Sequence, residues 1–183
     1  MENRVKIEEH LPLLEEILGE WKADIGKDYP AYKNHVYRVV HFCLSIHQGN
    51  REDREKIIIA GCFHDLGIWV NDTFDYLSIS IELAKGYLKR KRQEVWSTEI
   101  ELMINLHHKI TRYRDSKYLL VEAFRKADWI DVSKGKRAFG LPKEDIQVVI
   151  DKFPNSGFHK KLIQLTKAEF KKNPLKPLPM MKW

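Results

Sequence analysis

An imidazole and a carboxylate stand side by side at His64 and Asp65, directly after the mostly apolar run 57–63. Burying a carboxylate without a partner is costly, so Asp65 requires a cation or a strong hydrogen-bond donor nearby. Neighbouring helical positions point about 100° apart, so both side chains reach one ion only near a helix end. Gly67 supplies such an end, where the negative end of the helix dipole also favours a cation. The pair therefore predicts a divalent metal site.

Two further ligand candidates lie on other predicted helices. His35 belongs to an inward apolar stripe, and Asp128 follows Ala127 in a segment that is equally typical of a core. Together with His64 and Asp65 they form a mixed nitrogen and oxygen set without a thiolate. Such a set suits Mn, Fe, Co, Ni, Zn or Mg better than a closed structural zinc site. Four protein ligands around a six-coordinate ion leave about two positions for water and substrate.

This pattern resembles the HD-domain superfamily of metal-dependent phosphohydrolases, whose motif is a histidine, an adjacent His-Asp pair and a distal aspartate. The run 64–67, His-Asp-Leu-Gly, also matches the common His-Asp-apolar-Gly form of the motif. The resemblance covers about residues 30–135. It implies an all-α fold, one divalent metal ion held by His35, His64, Asp65 and Asp128, and hydrolysis of a phosphate ester or anhydride by a metal-activated water.

A second histidine pair, His107-His108, is similar to the additional His or His-His of the dinuclear members of that superfamily. The extra histidine that often follows the His-Asp pair is absent here, where Asp75 and Ser78 stand in that region. The absence favours one metal ion. We therefore expect His107 and His108 to contact the substrate, although a structural role at a helix end is the competing interpretation for His107.

Basic residues near these positions are candidates for holding a phosphate. Arg38 lies three positions after His35, and Lys109 follows the second histidine pair. We predict that both contact the substrate. The competing interpretation is a surface ion pair for Arg38 and a solvated face for Lys109.

We expect Asp65, as a ligand, and Asp72 to carry catalysis. The run 71–73, Asn-Asp-Thr, is similar to the Glu-Asp-Thr run of nucleotide-cleaving members, and in that role Asp72 would orient or deprotonate the attacking water. An Asx turn or a helix N-cap is an equally good interpretation of Asp72. For Asp131, three residues after Asp128, a hydrogen bond to a metal ligand and a plain surface charge compete.

The elements that position these residues are all predicted to be helical. Three-and-four spacing of apolar residues predicts helices over about 7–21, 31–48, 52–65, 75–91, 96–108, 117–132, 143–153 and 158–172. No alternating run of strand length is present. The sequence therefore predicts one all-α domain over 1–173, followed by an extended Pro/Lys-rich tail over 174–183.

Composition sets the class of protein. Of 183 residues, 43% are hydrophobic and 32% charged, which is typical of one folded domain. No apolar run approaches the roughly 20 residues of a membrane span. The net charge of +6 arises within 157–183, and the remainder is neutral, so nucleic acid is not favoured as a partner.

Cys43 and Cys62 are expected to be buried, reduced thiols. With no signal-peptide core at the N-terminus, we expect a cytoplasmic protein; a homo-oligomer is left open.

The leading hypothesis is a phosphohydrolase that acts on a small phosphorylated metabolite, for which we expect a nucleotide. Two alternatives keep the scaffold. One is a hydratase of a small nitrile. The other is a non-catalytic binding or regulatory module, in which the basic tail would dock on an acidic partner.

Overall fold

The computed structural model describes residues 5–175 and 177–183, and it confirms the all-α fold class. In these ranges no residue belongs to a β-strand; one parallel bridge joins Lys109 and Lys182. The helices are α1 (Pro12–Glu20), α2 (Lys22–Ile25), α3 (Tyr29–Ile46), α4 (Arg51–Phe63), α5 (Gly67–Val70), α6 (Leu77–Lys91), α7 (Ser97–Leu106), α8 (Leu119–Val132), α9 (Lys143–Lys152) and α10 (Phe158–Lys172).

Helix α3 forms the centre of the molecule, where it packs against α4 and α8. Its residues 35–43 are all buried, because almost every side of this helix is covered by a neighbour. Cys43 on α3 and Cys62 on α4 are both buried and unpaired. No helix in the described part of the chain is long and apolar enough to cross a membrane.

Several helix bounds differ from the predicted ones for local reasons. Helix α1 begins at Pro12, since proline is favoured in the first helical turn and residues 7–10 are not helical. Asn50 and Asp53 form a capping box that sets the start of α4. The short helix α5 was not predicted, because four residues carry no measurable periodicity.

Gly67 allows α5 to lie close against the start of α6. A Cβ atom at this position would lie 2.6 Å from the carbonyl oxygen of Tyr76. The backbone N–H of Gly67 donates a hydrogen bond to Ser80 Oγ at 3.0 Å. The glycine of the His-Asp-Leu-Gly run therefore holds the chain after Asp65 against α6.

The C-terminal segment is non-helical, as expected, but it packs back on the domain. Residue 176 lies outside the described residues. Met180 is buried beside Ile68, Phe74, Tyr76 and Leu77 in a cluster separate from the main core. The division into a domain over 1–173 and a tail over 174–183 stays a prediction.

Candidate metal centre

Three helices, α3, α4 and α8, bring the predicted ligands together in the interior. His35 lies on α3, His64 and Asp65 directly follow α4, and Asp128 lies on α8. All four are buried. His107 and His108 follow the end of α7 and reach the same point, so the cluster has two more members than the predicted ligand set.

Hydrogen bonds on the far side of two rings fix which nitrogen faces the cluster. His64 Nδ1 donates to the carbonyl oxygen of Gly61 at 2.7 Å, and His107 Nδ1 donates to that of Ile104 at 2.6 Å. A carbonyl oxygen only accepts, so each Nδ1 carries a proton, and in the neutral ring the lone pair is then on Nε2. This arrangement is typical of histidines that bind metal ions through Nε2.

His35 is oriented by a carboxylate in the same way. Its Nδ1 lies 2.6 Å from Asp131 Oδ2, which turns Nε2 toward the cluster. The Nε2 atoms of His35 and His64 lie 2.9 Å apart. Because two lone pairs at this distance repel each other, a proton or a cation is required between the two rings.

The carboxylates add further unpaired acceptors. Asp65 Oδ2 lies 3.5 Å from Nε2 of both His35 and His64, and Asp65 Oδ1 lies 3.4 Å from Nε2 of His107. Asp65 Oδ1, both Asp128 oxygens and His107 Nε2 are buried without a hydrogen-bond partner among the described residues. Buried acceptors without donors are rare in folded proteins, and a divalent cation would satisfy them together.

The pKa values within the cluster show the same demand for positive charge. Burial alone would lower the pKa of His35, but its contacts with Asp131 and Asp65 raise that pKa to about 9. Burial is the main cause that raises the pKa of Asp128 to about 7, and the neighbouring carboxylates add to it. Both shifts mean that the cluster binds protons more tightly than isolated groups would.

Three other members, His64, His108 and Asp65, are held in the protonation states that metal binding requires. His107 differs, because contacts with Asp65 and Asp128 outweigh burial and raise its pKa. Burial, with His107 and His35 beside it, lowers the pKa of His64 to about 3. Burial and His107 also lower the pKa of His108 well below its usual value. Burial opposes ionisation of Asp65, but the three nearest histidines outweigh it and hold the pKa of Asp65 well below the ordinary range. Neutral imidazoles and an ionised carboxylate are ready ligands.

Three overlapping groups of side chains offer ligand atoms close enough together for one ion: His35, His64 and Asp128; His64, Asp65 and His107; His107, His108 and Asp128. The first two groups contain the predicted ligands. The third consists mainly of the pair that the sequence assigned to substrate binding. His107 and His108 therefore lie where ligands lie, and a substrate contact is not their only available role.

Arg38 does not take up the role predicted for it. The guanidinium is buried and makes a two-point ion pair with Asp131, through Nε to Oδ1 and through Nη2 to Oδ2 at 3.0 Å. Its Nη1 donates to the carbonyl oxygens of Phe153 and Pro154. With these donors engaged inside the protein, Arg38 holds Asp131 in place and does not present itself to a phosphate.

Of the two interpretations of Asp131, the structure supports the hydrogen bond to a candidate ligand and not the surface charge. It connects Arg38 to His35, and its pKa is strongly lowered because hydrogen bonds from both residues outweigh the effect of burial. The sequence alone did not decide between these two roles of Asp131. The feature that pointed to the correct role is the three-residue separation from Asp128, which places both carboxylates on nearly the same face of α8.

Lys109 and Asp72 lie outside the cluster. The Lys109 ammonium donates to the carbonyl oxygen of Trp183, and its own carbonyl accepts hydrogen bonds from Arg125 and Trp129. Asp72 is exposed in the loop before α6, with φ 44°, and it does not cap that helix. The substrate contact of Lys109 and the catalytic role of Asp72 stay predictions.

Two aromatic residues, Tyr76 and Phe158, contact the cluster. The Phe158 ring stacks on His35, with ring centres 3.9 Å apart. The Tyr76 hydroxyl lies 2.9 Å from His108 Nε2. Helical spacing does not predict these contacts, because each joins segments that are far apart in the chain.

A model of the HD domain family matches residues 32–133, which is more than half of the chain and includes every member of the cluster. The protein belongs to the HD domain family. The resemblance drawn from the motif is thereby confirmed, and with it the class: HD domains bind divalent metal ions and are often hydrolases. Comparison with curated proteins and with solved structures found no match.

Proposed function

We propose that the protein is a metal-dependent phosphohydrolase that cleaves a phosphate ester or anhydride of a small metabolite, and that its substrate is a nucleotide. The observation that carries the proposal is the convergence of potential ligand atoms from His35, His64, Asp65, His107 and Asp128 in overlapping groups. Among these atoms, Nε2 of His107, Oδ1 of Asp65 and both oxygens of Asp128 are buried without a hydrogen-bond partner in the described part of the chain. Such a donor set has no use in a plain hydrophobic core.

His35, His64, Asp65 and Asp128 would hold the ion. A bound divalent cation supplies an acidified water and positive charge for phosphoryl oxygens. The chain itself supplies orientation: Asp131 and the Gly61 carbonyl each fix one histidine ring through its Nδ1. A mixed nitrogen and oxygen set from three separate helices keeps positions open for substrate, unlike a closed thiolate site.

The side of the cluster that carries His108 is the side of approach. The His108 side chain is 15% exposed, whereas the other members are at most 4% exposed. The Tyr76 hydroxyl lies on the same side, 2.9 Å from His108 Nε2, and the Phe74 ring is next to Tyr76. A phosphate that enters here would meet His108 before it meets the buried ligands.

The first test is elemental analysis of protein purified without chelator or affinity metal. We compare the wild type with Asp65→Ala and with Asp24→Ala, which removes an exposed carboxylate on α2. We expect one equivalent of a divalent metal in the wild type and in Asp24→Ala, and none in Asp65→Ala. Circular dichroism checks that each variant is folded.

The activity assay follows with the metal found. Release of inorganic phosphate is measured with nucleoside mono-, di- and triphosphates and with simple phosphate esters, and a small nitrile is included for the hydratase alternative. Hydrolysis by the wild type that is lost in Asp65→Ala supports the proposal. A metal-loaded protein that releases no phosphate from any of them contradicts it and favours the non-catalytic module.

The number of ions is read from the same analysis. One equivalent supports the single-ion centre. Two equivalents overturn that part of the proposal and assign His107 and His108 as ligands, as their group with Asp128 allows. A protein that takes up no ion, even after incubation with Mg²⁺ and Mn²⁺, contradicts the metal centre itself.

A further inference from the structure

The C-terminal residues 177–183, which we call the strap, cross the side of the metal centre on which His108 lies. The Tyr76 hydroxyl contacts His108 Nε2 at 2.9 Å, and Met180 of the strap belongs to the same buried apolar cluster as Tyr76. Met180 is only 3% exposed. The strap therefore covers the cluster where the cluster comes nearest to solvent.

A second attachment lies directly after the histidine pair. The backbone N–H of Ile110 donates to the carbonyl oxygen of Lys182 at 2.8 Å, and the Lys109 ammonium donates to the carbonyl oxygen of Trp183. Lys109 and Lys182 form a parallel bridge. The turn that carries His107 and His108 is thus tied to the strap through the residues that follow it.

Both attachments are small. Met180 joins a separate apolar cluster rather than the main core, and within the strap Leu178 and Trp183 are exposed, the latter at 84%. Segments held by few buried contacts open at much lower free energy than the core does. The strap can therefore leave while α3, α4 and α8 stay folded.

We propose that the strap is a gate over the metal centre, closed in this structure, that must open before a substrate or a metal ion enters or leaves. The gate acts on any ligand that approaches past His108, so it does not depend on the reaction proposed above. Burial of the Met180 side chain in the cluster that includes Tyr76 holds the strap in the closed position.

The test uses the full chain loaded with Zn²⁺ and a chromogenic chelator in excess. Met180→Asp places a charge in the apolar cluster, and Leu175→Asp places the same charge at a fully exposed neighbouring position. We expect Met180→Asp to release Zn²⁺ about tenfold faster or more, because a loss of about 1.4 kcal/mol from the closed state raises the open population tenfold. Leu175→Asp should release it at the wild-type rate.

A second readout needs no metal. Diethylpyrocarbonate modifies accessible imidazoles, and peptide mass mapping follows the peptide that contains His107 and His108. We expect faster modification of this peptide in metal-free Met180→Asp than in the wild type or Leu175→Asp. If Met180→Asp fails to fold, Met180→Ala replaces it, with a smaller change in the same direction.

Equal rates in all variants by both readouts would overturn the gate. Neither measurement uses a phosphorylated substrate, so a protein that hydrolyses nothing can still show the gate. Conversely, the wild type and Met180→Asp could both be active hydrolases with equal rates of Zn²⁺ release and of histidine modification. That result would support the proposed function and contradict the gate.

Discussion

Replacement of Asp131 by asparagine tests the support behind the metal centre. In the wild type the Asp131 carboxylate accepts from the buried Arg38 guanidinium and from His35 Nδ1. An asparagine at this position would keep the shape and one acceptor oxygen, but it would lose the charge and turn an NH₂ group toward a donor. Arg38, which is 1% exposed, would then be a buried cation without a counter-charge.

The expected destabilisation follows from that burial. Removing one partner of a buried ion pair costs about 3–5 kcal/mol, and the acceptor that asparagine retains places Asp131→Asn near about 3 kcal/mol. Since His35 also loses the group that orients its ring, metal affinity should fall roughly 10–100-fold.

The assay is urea unfolding of the wild type, Asp131→Asn, Arg38→Met and the double variant, together with metal titration. In Asp131→Asn the buried Arg38 guanidinium has no counter-charge, and Arg38→Met removes it. The double variant should therefore be about 1–3 kcal/mol more stable than the sum of the two single changes predicts. Glu55→Gln breaks the ion pair with the exposed Arg51 and should cost at most about 1 kcal/mol.

Two results would refute this reasoning. One is an Asp131→Asn protein within about 1 kcal/mol of the wild type, which would mean that water or another group compensates Arg38. The other is strict additivity in the cycle, which would mean that Arg38 and Asp131 do not interact in solution as they do in the structure.

Two further predictions concern stability. Gly67→Ala should destabilise the protein by about 1–3 kcal/mol in urea unfolding, since its Cβ would lie 2.6 Å from the Tyr76 carbonyl oxygen. The control is Gly86→Ala, at an exposed position of α6 with nothing within 4 Å, which should stabilise the protein by about 0.5–1 kcal/mol. Changes of the same sign in the free energy of unfolding of both variants would contradict the packing argument. Burial alone would raise the pKa of Glu15, but the hydrogen bonds that it accepts from Tyr37 and Lys33 outweigh burial and lower that pKa below 4.5. The stability that these bonds contribute is therefore present above about pH 4.5 and lost as the pH falls through the lowered pKa of folded Glu15. Glu15→Gln should thus be less stable than the wild type at about pH 7, and the difference should shrink as the pH falls below the folded pKa.

The all-α fold class was predictable, and the four candidate ligands could be selected, because both rest on local signals. Helical periodicity depends on residues three and four apart, so the stripe that carries His35 and the apolar run before His64 are visible in the sequence alone. The pair His64-Asp65 is adjacent in the chain, and only its position at a helix end needed inference. The bounds of α10 were predicted at Phe158–Lys172, as found.

The roles of Arg38 and Lys109 depend on partners that are distant in the chain. The residues flanking Arg38 place it on α3, but its partner Asp131 is 93 positions away and reaches it only when α3 and α8 pack together. Lys109 meets Trp183 across 74 positions. A charged side chain near a predicted site has many possible partners, and spacing along one helix does not select among them.

The sequence by itself determined that the chain is all-α and that His35, His64, Asp65 and Asp128 are candidate metal ligands, because residue type and helical period are local properties. Only the tertiary structure decided that Asp131 and Arg38 form one buried unit behind His35, that His107 and His108 join the cluster, and that the strap covers it. Each of these depends on contacts between segments far apart in the chain, and such contacts follow from the packing of whole helices against one another.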